Sequence, residues 1–210
     1  MPAMTLYFYH DPMCSWCWGY RPVSDRLFSS LPQGVRLEKI VGGLAPDTDE
    51  PMPADLRQSL PNAWRRIHDL LGTEFNFDFW TTCEPRRSTY PACRAVLAAG
   101  RQDRYDEMID AIQRAYYLRA MNPSDVATLA TLAGELGLDT ERFARDCRSV
   151  AIEKALQNQV DFSRRSPIDG FPSLVLQIGE RAIPVTRDYK DHRPSLRHIE
   201  SLVSGAEPVP

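Results

Sequence analysis

Strand-forming residues are confined to the two ends of this chain. Thr5 to Tyr9 is β-branched or aromatic over most of its length and reads as a short, fully buried strand. Val35 to Val41, closed by Gly42-Gly43, reads as a second. The β signal then vanishes from about Pro53 to Phe162 and returns only after Ser166-Pro167. There Ser173 to Ile178, Gly179-Glu180 and Arg181 to Val185 read as a hairpin with a two-residue turn. From Cys14 to about Ser30 the apolar positions Trp18, Val23 and Leu27 keep a helical spacing, and Pro22 either kinks that helix or opens a second segment of it. A last helix is expected near Pro194 to Leu202, followed by a frayed tail from Gly205 to Pro210. The order βαβ, helical block, ββα is that of an α/β sheet split by an insertion, with 1–50 and 163–210 forming the sheet domain and 51–162 the inserted helical domain.

The helical block carries amphipathic stripes. Tyr105, Met108, Ile109, Ile112, Ala115 and Tyr116 fall on one helix face. Asn122-Pro123-Ser124-Asp125 supplies a capping signal for a helix with Val126, Leu129, Ala130, Ala133 and Leu136 inward, which Gly137 stops before Asp139-Thr140 starts another. These stripes read as core.

A formal charge of −3 over 210 residues offers no electrostatic handle for phosphate backbones or anionic lipid, which excludes nucleic acid and membrane surfaces as expected partners. No apolar run reaches the roughly 18 residues a span needs. The chain enters Thr5-Leu6-Tyr7-Phe8-Tyr9 almost at once, without a cationic and apolar leader, so a cytoplasmic protein is expected.

Five cysteines, Cys14, Cys17, Cys83, Cys93 and Cys147, are an odd number and argue against a disulfide framework. Cys14-Ser15-Trp16-Cys17 stands apart, because it directly follows a buried strand and opens a helix. Unpaired N–H groups and the positive dipole end of a first helical turn favour an anion there. The thiolate is the species that attacks a disulfide, so Cys14 is the expected nucleophile. Cys17, one turn on, is the expected resolving thiol that attacks the mixed disulfide. Ser15 and Trp16 set the environment between them; neither brings a positive charge, so acidification of Cys14 is expected to come from backbone N–H groups. Two other readings of the pair exist. Half a zinc site would need two more ligands, but nine residues separate Cys83 from Cys93 and the four histidines have no paired spacing. Two inert buried cysteines is the other. Cys83, Cys93 and Cys147 read as small buried apolar residues, with a second redox pair of Cys83 and Cys93 as the alternative.

Tyr9-His10-Asp11-Pro12-Met13-Cys14-Ser15-Trp16-Cys17-Trp18-Gly19-Tyr20 after a strand, with Gly170-Phe171-Pro172-Ser173 before the late hairpin, resembles the DsbA-like branch of the thioredoxin superfamily, and within it the cytoplasmic subgroup of inferred protein disulfide isomerases. The resemblance covers roughly 4–45 and 165–203, and the helical block matches that family's inserted domain in size and position. It implies a thioredoxin-like fold and a thiol–disulfide oxidoreductase acting on disulfide- or thiol-containing proteins or small thiols. No bound cofactor is implied, with glutathione as a candidate redox partner. It also implies a cis Pro172 facing the cysteine pair, with the Phe171 backbone free to pair with an extended substrate beside Cys14. Trp16, Trp18, Tyr20 and Phe171 are candidates for an apolar substrate groove, although Trp18 and Tyr20 cannot both share one helix face with Trp16, so some of them are core.

Two departures matter. Many DsbA-like proteins carry Pro-His between the cysteines, where this chain has Ser-Trp, so strong oxidant behaviour is not implied. Many also have a buried acid six residues before the first cysteine, where this chain has Phe8; Asp11 and His10 read as loop residues. A related architecture, the kappa-class glutathione transferases and hydroxychromene-carboxylate isomerases, has a serine in place of the first cysteine. Ser15 keeps a glutathione-dependent reaction of that type as the alternative function, while Cys14 weighs against it.

Overall fold

A computed structural model describes residues 3–205. The first strand, β1 (Met4–His10), leads into helix α1 (Ser15–Ser29) and strand β2 (Val35–Val41). Seven helices follow: α2 (Ala54–Leu71), α3 (Phe79–Thr82), α4 (Tyr90–Gly100), α5 (Tyr105–Leu118), α6 (Val126–Glu135), α7 (Thr140–Cys147) and α8 (Val150–Arg165). The hairpin β3 (Ser173–Ile178) and β4 (Arg181–Pro184) and helix α9 (Arg193–Ser204) close the chain. The expected frayed tail falls outside the described residues from position 206 on.

The sheet runs β2-β1-β3-β4. β1 is central, parallel to β2 with Leu6 opposite Leu37, and antiparallel to β3 with Leu6 opposite Leu176. A strand covered on both faces needs apolar residues at successive positions, which is why it reads as a run rather than an alternation. One face packs Leu6, Phe8, Leu174 and Leu176 on Tyr20, Val23 and Leu27 of α1 and Ile199 of α9. The other buries Tyr9, Ile40 and Val175 against Phe162 of α8 and against Phe171.

The helical block has two cores. Around α4, the fully buried Ala92, Ala95, Ala98 and Ala99 meet Met108 and Ile112 of α5, Leu132 of α6 and Leu156 of α8. The second is aromatic: Trp64 of α2 lies within 6 Å, centroid to centroid, of Phe75, Phe77, Phe79, Trp80, Tyr116 and Tyr117. Buried aromatic rings favour these offset and edge-on arrangements.

Four details depart from the sequence reading. β1 includes Met4 and His10, so His10 is a strand residue, not a loop one. α1 runs unbroken through Pro22. The buried stripe of α6 is Leu129, Leu132 and Ala133, whereas Ala130 is exposed and Val126, the first helical residue, is 68% exposed. The Asp125 side chain leaves the helix end uncapped because Arg86 holds it at 2.5 Å.

Candidate active site

β1 carries the chain to His10, and four residues later Cys14 occupies the N-cap of α1 with extended backbone (φ −81°, ψ 116°). The turn is closed by Cys14 N–H donating to Asp11 O at 3.0 Å, and the helix begins with Trp18 N–H donating to Cys14 O at 3.1 Å. No side chain caps this end, Cys14 included, so the first-turn N–H groups of α1 have no side-chain partner. Cys14 Sγ donates to the carbonyl of Phe171 at 3.4 Å, across the molecule from the other end of the chain. The Phe171–Pro172 bond is cis, and Pro172 is buried.

Cys17, three residues into the helix, faces inward and is 3% exposed against 7% for Cys14. Burial, then the neighbouring Cys14, pushes the Cys17 thiol well above its ordinary pKa; the Asp11 backbone N–H opposes this and the Asp11 charge adds to it. The inner sulfur is therefore held as a thiol.

Of the flanking residues, Ser15 and Trp16 are half-buried, and Trp16 meets Tyr189 edge to face at 5.2 Å. Trp18 turns toward the helical block: it stacks on Tyr117 at 5.7 Å and its indole donates to Glu74 O at 3.0 Å. Tyr20 is fully buried core, which removes it from the expected groove. The Phe171 ring lies against Gly42, where a Cβ would come within 1.8 Å of it.

Asp11 is a loop residue, as the sequence reading has it, but its burial is not foreseen there. It is completely buried. Its Oδ1 accepts from Met13 N–H at 2.8 Å, and its Oδ2 from Leu44 N–H at 2.8 Å and Thr89 Oγ1 at 2.7 Å, with the Cys93 thiol at 3.6 Å. Burial pushes its pKa up and these hydrogen bonds pull against it. One carboxylate thus ties the cysteine turn to the loop after β2 and to the start of α4. The local part of this was visible in advance, since Asp followed two residues later by a free N–H is the signature of an Asx turn. His10 is 1% exposed, and burial lowers its pKa to about 3, so its ring is neutral. It stacks on Phe8 at 5.4 Å, and its Nε2 lies 3.4 Å from Tyr105 OH.

The other three cysteines are free. Cys83 donates to Ala120 O at 3.0 Å beside the aromatic core, whereas Cys93 points at Asp11 from the α4 core, so the two belong to different packing clusters. Cys147 packs on the α4 core, half-buried, and burial lifts its pKa to about 11. Among the described residues no three His, Cys, Asp or Glu side chains converge as metal ligands, and no helix is long and apolar enough to cross a membrane.

A family profile described as thioredoxin matches residues 7–181. The ClpXP adapter protein SpxH of Halalkalibacterium halodurans is 26% identical over 198 residues, which is 90% of this chain and 64% of that relative, so the chain spans under two-thirds of its length. Among solved structures, an inferred protein disulfide isomerase of Nitrosomonas europaea superposes with a TM-score of 0.84 at 25% identity, over 97% of this chain and 99% of that one. The cytosolic disulfide reductase DsbM of Pseudomonas aeruginosa gives 0.78 at 24% identity over 96% of this chain and all of that one. Its structure with GSH gives 0.75 at 25% identity over 95% and 99%.

Proposed function

The chain belongs to the thioredoxin family and has its DsbA-like fold, and from that premise we propose that it is a thiol–disulfide oxidoreductase working through Cys14 and Cys17. The observation that carries the reading is Cys14 Sγ at the open first turn of α1, facing the Phe171 carbonyl. The Cys14 thiolate attacks a partner disulfide; a Cys14–partner bond forms, the partner's own S–S bond breaks, and the departing sulfur takes up a proton. Cys17 then loses its proton and attacks Cys14, forming the internal disulfide and releasing the partner reduced. Two thiols of a reductant reverse these steps on the enzyme. Glutathione fits that part, given the GSH-bound relative.

In this reading Ser15 and Trp16 tune the pair. Phe171, Pro172 and Trp18 border the substrate, which is a disulfide- or thiol-containing protein or a small thiol. Residues 51–162 act as the inserted domain, and the cytoplasm is the compartment. The test is reduction of a protein disulfide by dithiothreitol. The wild type should accelerate it, Cys14→Ser should return it to the uncatalysed rate, and Cys17→Ser should accumulate mixed disulfides; an active Cys14→Ser protein overturns the reading. The relatives named as ClpXP adapters support a second reading, in which the chain holds another protein for a protease. That role needs no sulfur exchange, so binding of a partner that survives Cys14→Ser with no reductase activity in the wild type would favour it.

A further inference from the structure

The inner sulfur reaches a second surface. A cleft of about 180 Å³ opens on the side of α1 that faces α5, and Cys17 forms part of its wall. Cys17, Arg21, Ser24 and Asp25 stand at i, i+4, i+7 and i+8, which is one face of α1. Opposite them are His10 of β1 and Gln113 of α5. The cleft is mixed where a core would be apolar: Phe8, Phe28 and Ile109 line it together with His10, Ser24 and Gln113, and these three polar residues are 1%, 4% and 3% exposed. Among the described residues, the Gln113 side chain is held by a long contact from Arg21 at 3.4 Å, and Ser24 Oγ donates to Arg21 O at 3.0 Å. At the mouth, Asp25 and Asp106 carry side chains 63% and 64% exposed. An open cleft of that size with polar groups in its wall has room for roughly six waters at about 30 Å³ each.

We infer that this cleft is a water site through which Cys17 sheds its proton when it attacks the mixed disulfide, with Gln113 and Ser24 as positioning residues for that water. The inference rests on Cys14 and Cys17 being the exchanging pair. A partner joined to Cys14 covers the Phe171 side, while Cys17 is still a thiol and must ionise before it can attack. Burial is what opposes that ionisation, and water in the cleft relieves it by solvating the thiolate and carrying the proton to bulk. The balance is complete. Cys17–H gives a proton to water, the new Cys14–Cys17 bond takes its electron pair, and the partner sulfur leaves with the pair of the broken bond.

Charged or titratable groups face Cys17 from several sides. Its own turn brings Cys14 and Asp11, and Tyr117 and Tyr189 also feel its charge. On the cleft side stand His10, Arg21, Asp25, Lys39 and Asp106. His10 stays neutral down to about pH 3. The test changes none of these.

Reduced protein carrying Cys83→Ala and Cys147→Ala, which removes the other partly exposed thiols, is mixed with dithionitrobenzoate, which releases one thionitrobenzoate when Cys14 attacks and a second when Cys17 resolves. Gln113→Met keeps the shape and removes the amide, and Ser24→Val narrows the cleft. In both, the second phase should slow roughly tenfold or more, with its rise displaced to higher pH, and the first phase should hold within about twofold. Gln113→Asn, which keeps an amide, should restore the second phase. A second phase unchanged in rate and pH profile overturns the inference, as does equal slowing of both phases. Absence of the first phase from wild-type protein would instead defeat the exchange reading itself.

Discussion

The sheet half and the helical block differ in what they contribute. The sheet half, β1 to β4 with α1 and α9, carries both sulfurs of the close pair and the Phe171 carbonyl. The helical block packs around α4, where four alanines with no exposure let neighbouring helices approach closely, yet it places no exchanging sulfur of our scheme. It touches the reactive turn through side chains instead: Thr89 and Cys93 on the Asp11 carboxylate, and Tyr117 against Trp18. In our scheme the exchanging sulfurs and much of the geometry that holds them are therefore on different halves, and a polar junction couples them. If that division is real, variants at the junction should separate stability from exchange in a graded way.

The largest effect is expected at Asp11. Asp11→Ala removes the acceptor for Met13 N–H, Leu44 N–H and Thr89 Oγ1 in a site without solvent. Stranded buried donors and a broken buried polar cluster cost about 3–5 kcal/mol together, read as a lowered urea midpoint at unchanged slope. A loss under about 1 kcal/mol would mean the halves do not depend on this link. The pH dependence has a definite sign. Burial raises the native pKa of Asp11 above 3.8, so the native protein binds its proton more readily than the unfolded chain. Stability from this group therefore falls as pH rises from about 3.8 through the raised value, and Asp11→Asn should lack that slope.

Much of this arrangement could be read from the chain, and what could not has a common cause. The strands, the Cys14 turn, the helical stripe of α5 and the start of α7 depend on neighbours within a few positions. The sequence reading therefore found β2 and β3 to the residue. The burial of Asp11 was missed because Leu44, Thr89 and Cys93 lie 33, 78 and 82 positions away. The stripe of α6 was misread because its spacing fits two faces, and only the contact with α4 selects the one with Leu129, Leu132 and Ala133. The cleft at Cys17 needs α5 laid beside α1, which no local pattern encodes.

A middle-sized effect tests the sheet half alone. Gly42 has no positive φ to justify it; its reason is space, since a methyl there would lie 1.8 Å from Cζ of Phe171. Gly42→Ala should push the ring and move the carbonyl that faces Cys14, costing about 1–3 kcal/mol by overpacking. Exchange turnover should drop roughly tenfold, about 1.4 kcal/mol in the barrier. The double variant Gly42→Ala/Phe171→Ala should recover part of the lost turnover, because it removes the ring that the methyl displaces. Failure of that recovery would mean Gly42 acts through its own backbone, whose N–H donates to His10 O at 2.7 Å.

The smallest effect, at Tyr117, is the sharpest control. Like Asp11, it is polar, completely buried and at the junction, and it stacks on Trp18 one residue from Cys17. Unlike Asp11, its hydroxyl has no hydrogen-bond partner among the described residues. Burying a hydroxyl unpaired is unfavourable, so Tyr117→Phe keeps the ring contacts with Trp18, Trp64 and Phe75 and removes only the penalty. Stability should stay level or rise by up to about 1 kcal/mol, with exchange turnover within about twofold. A loss beyond about 1 kcal/mol would reveal a partner for the hydroxyl and place a second polar coupling between the halves. A neutral result would leave the Asp11 carboxylate as the group that joins the packed half to the reactive one.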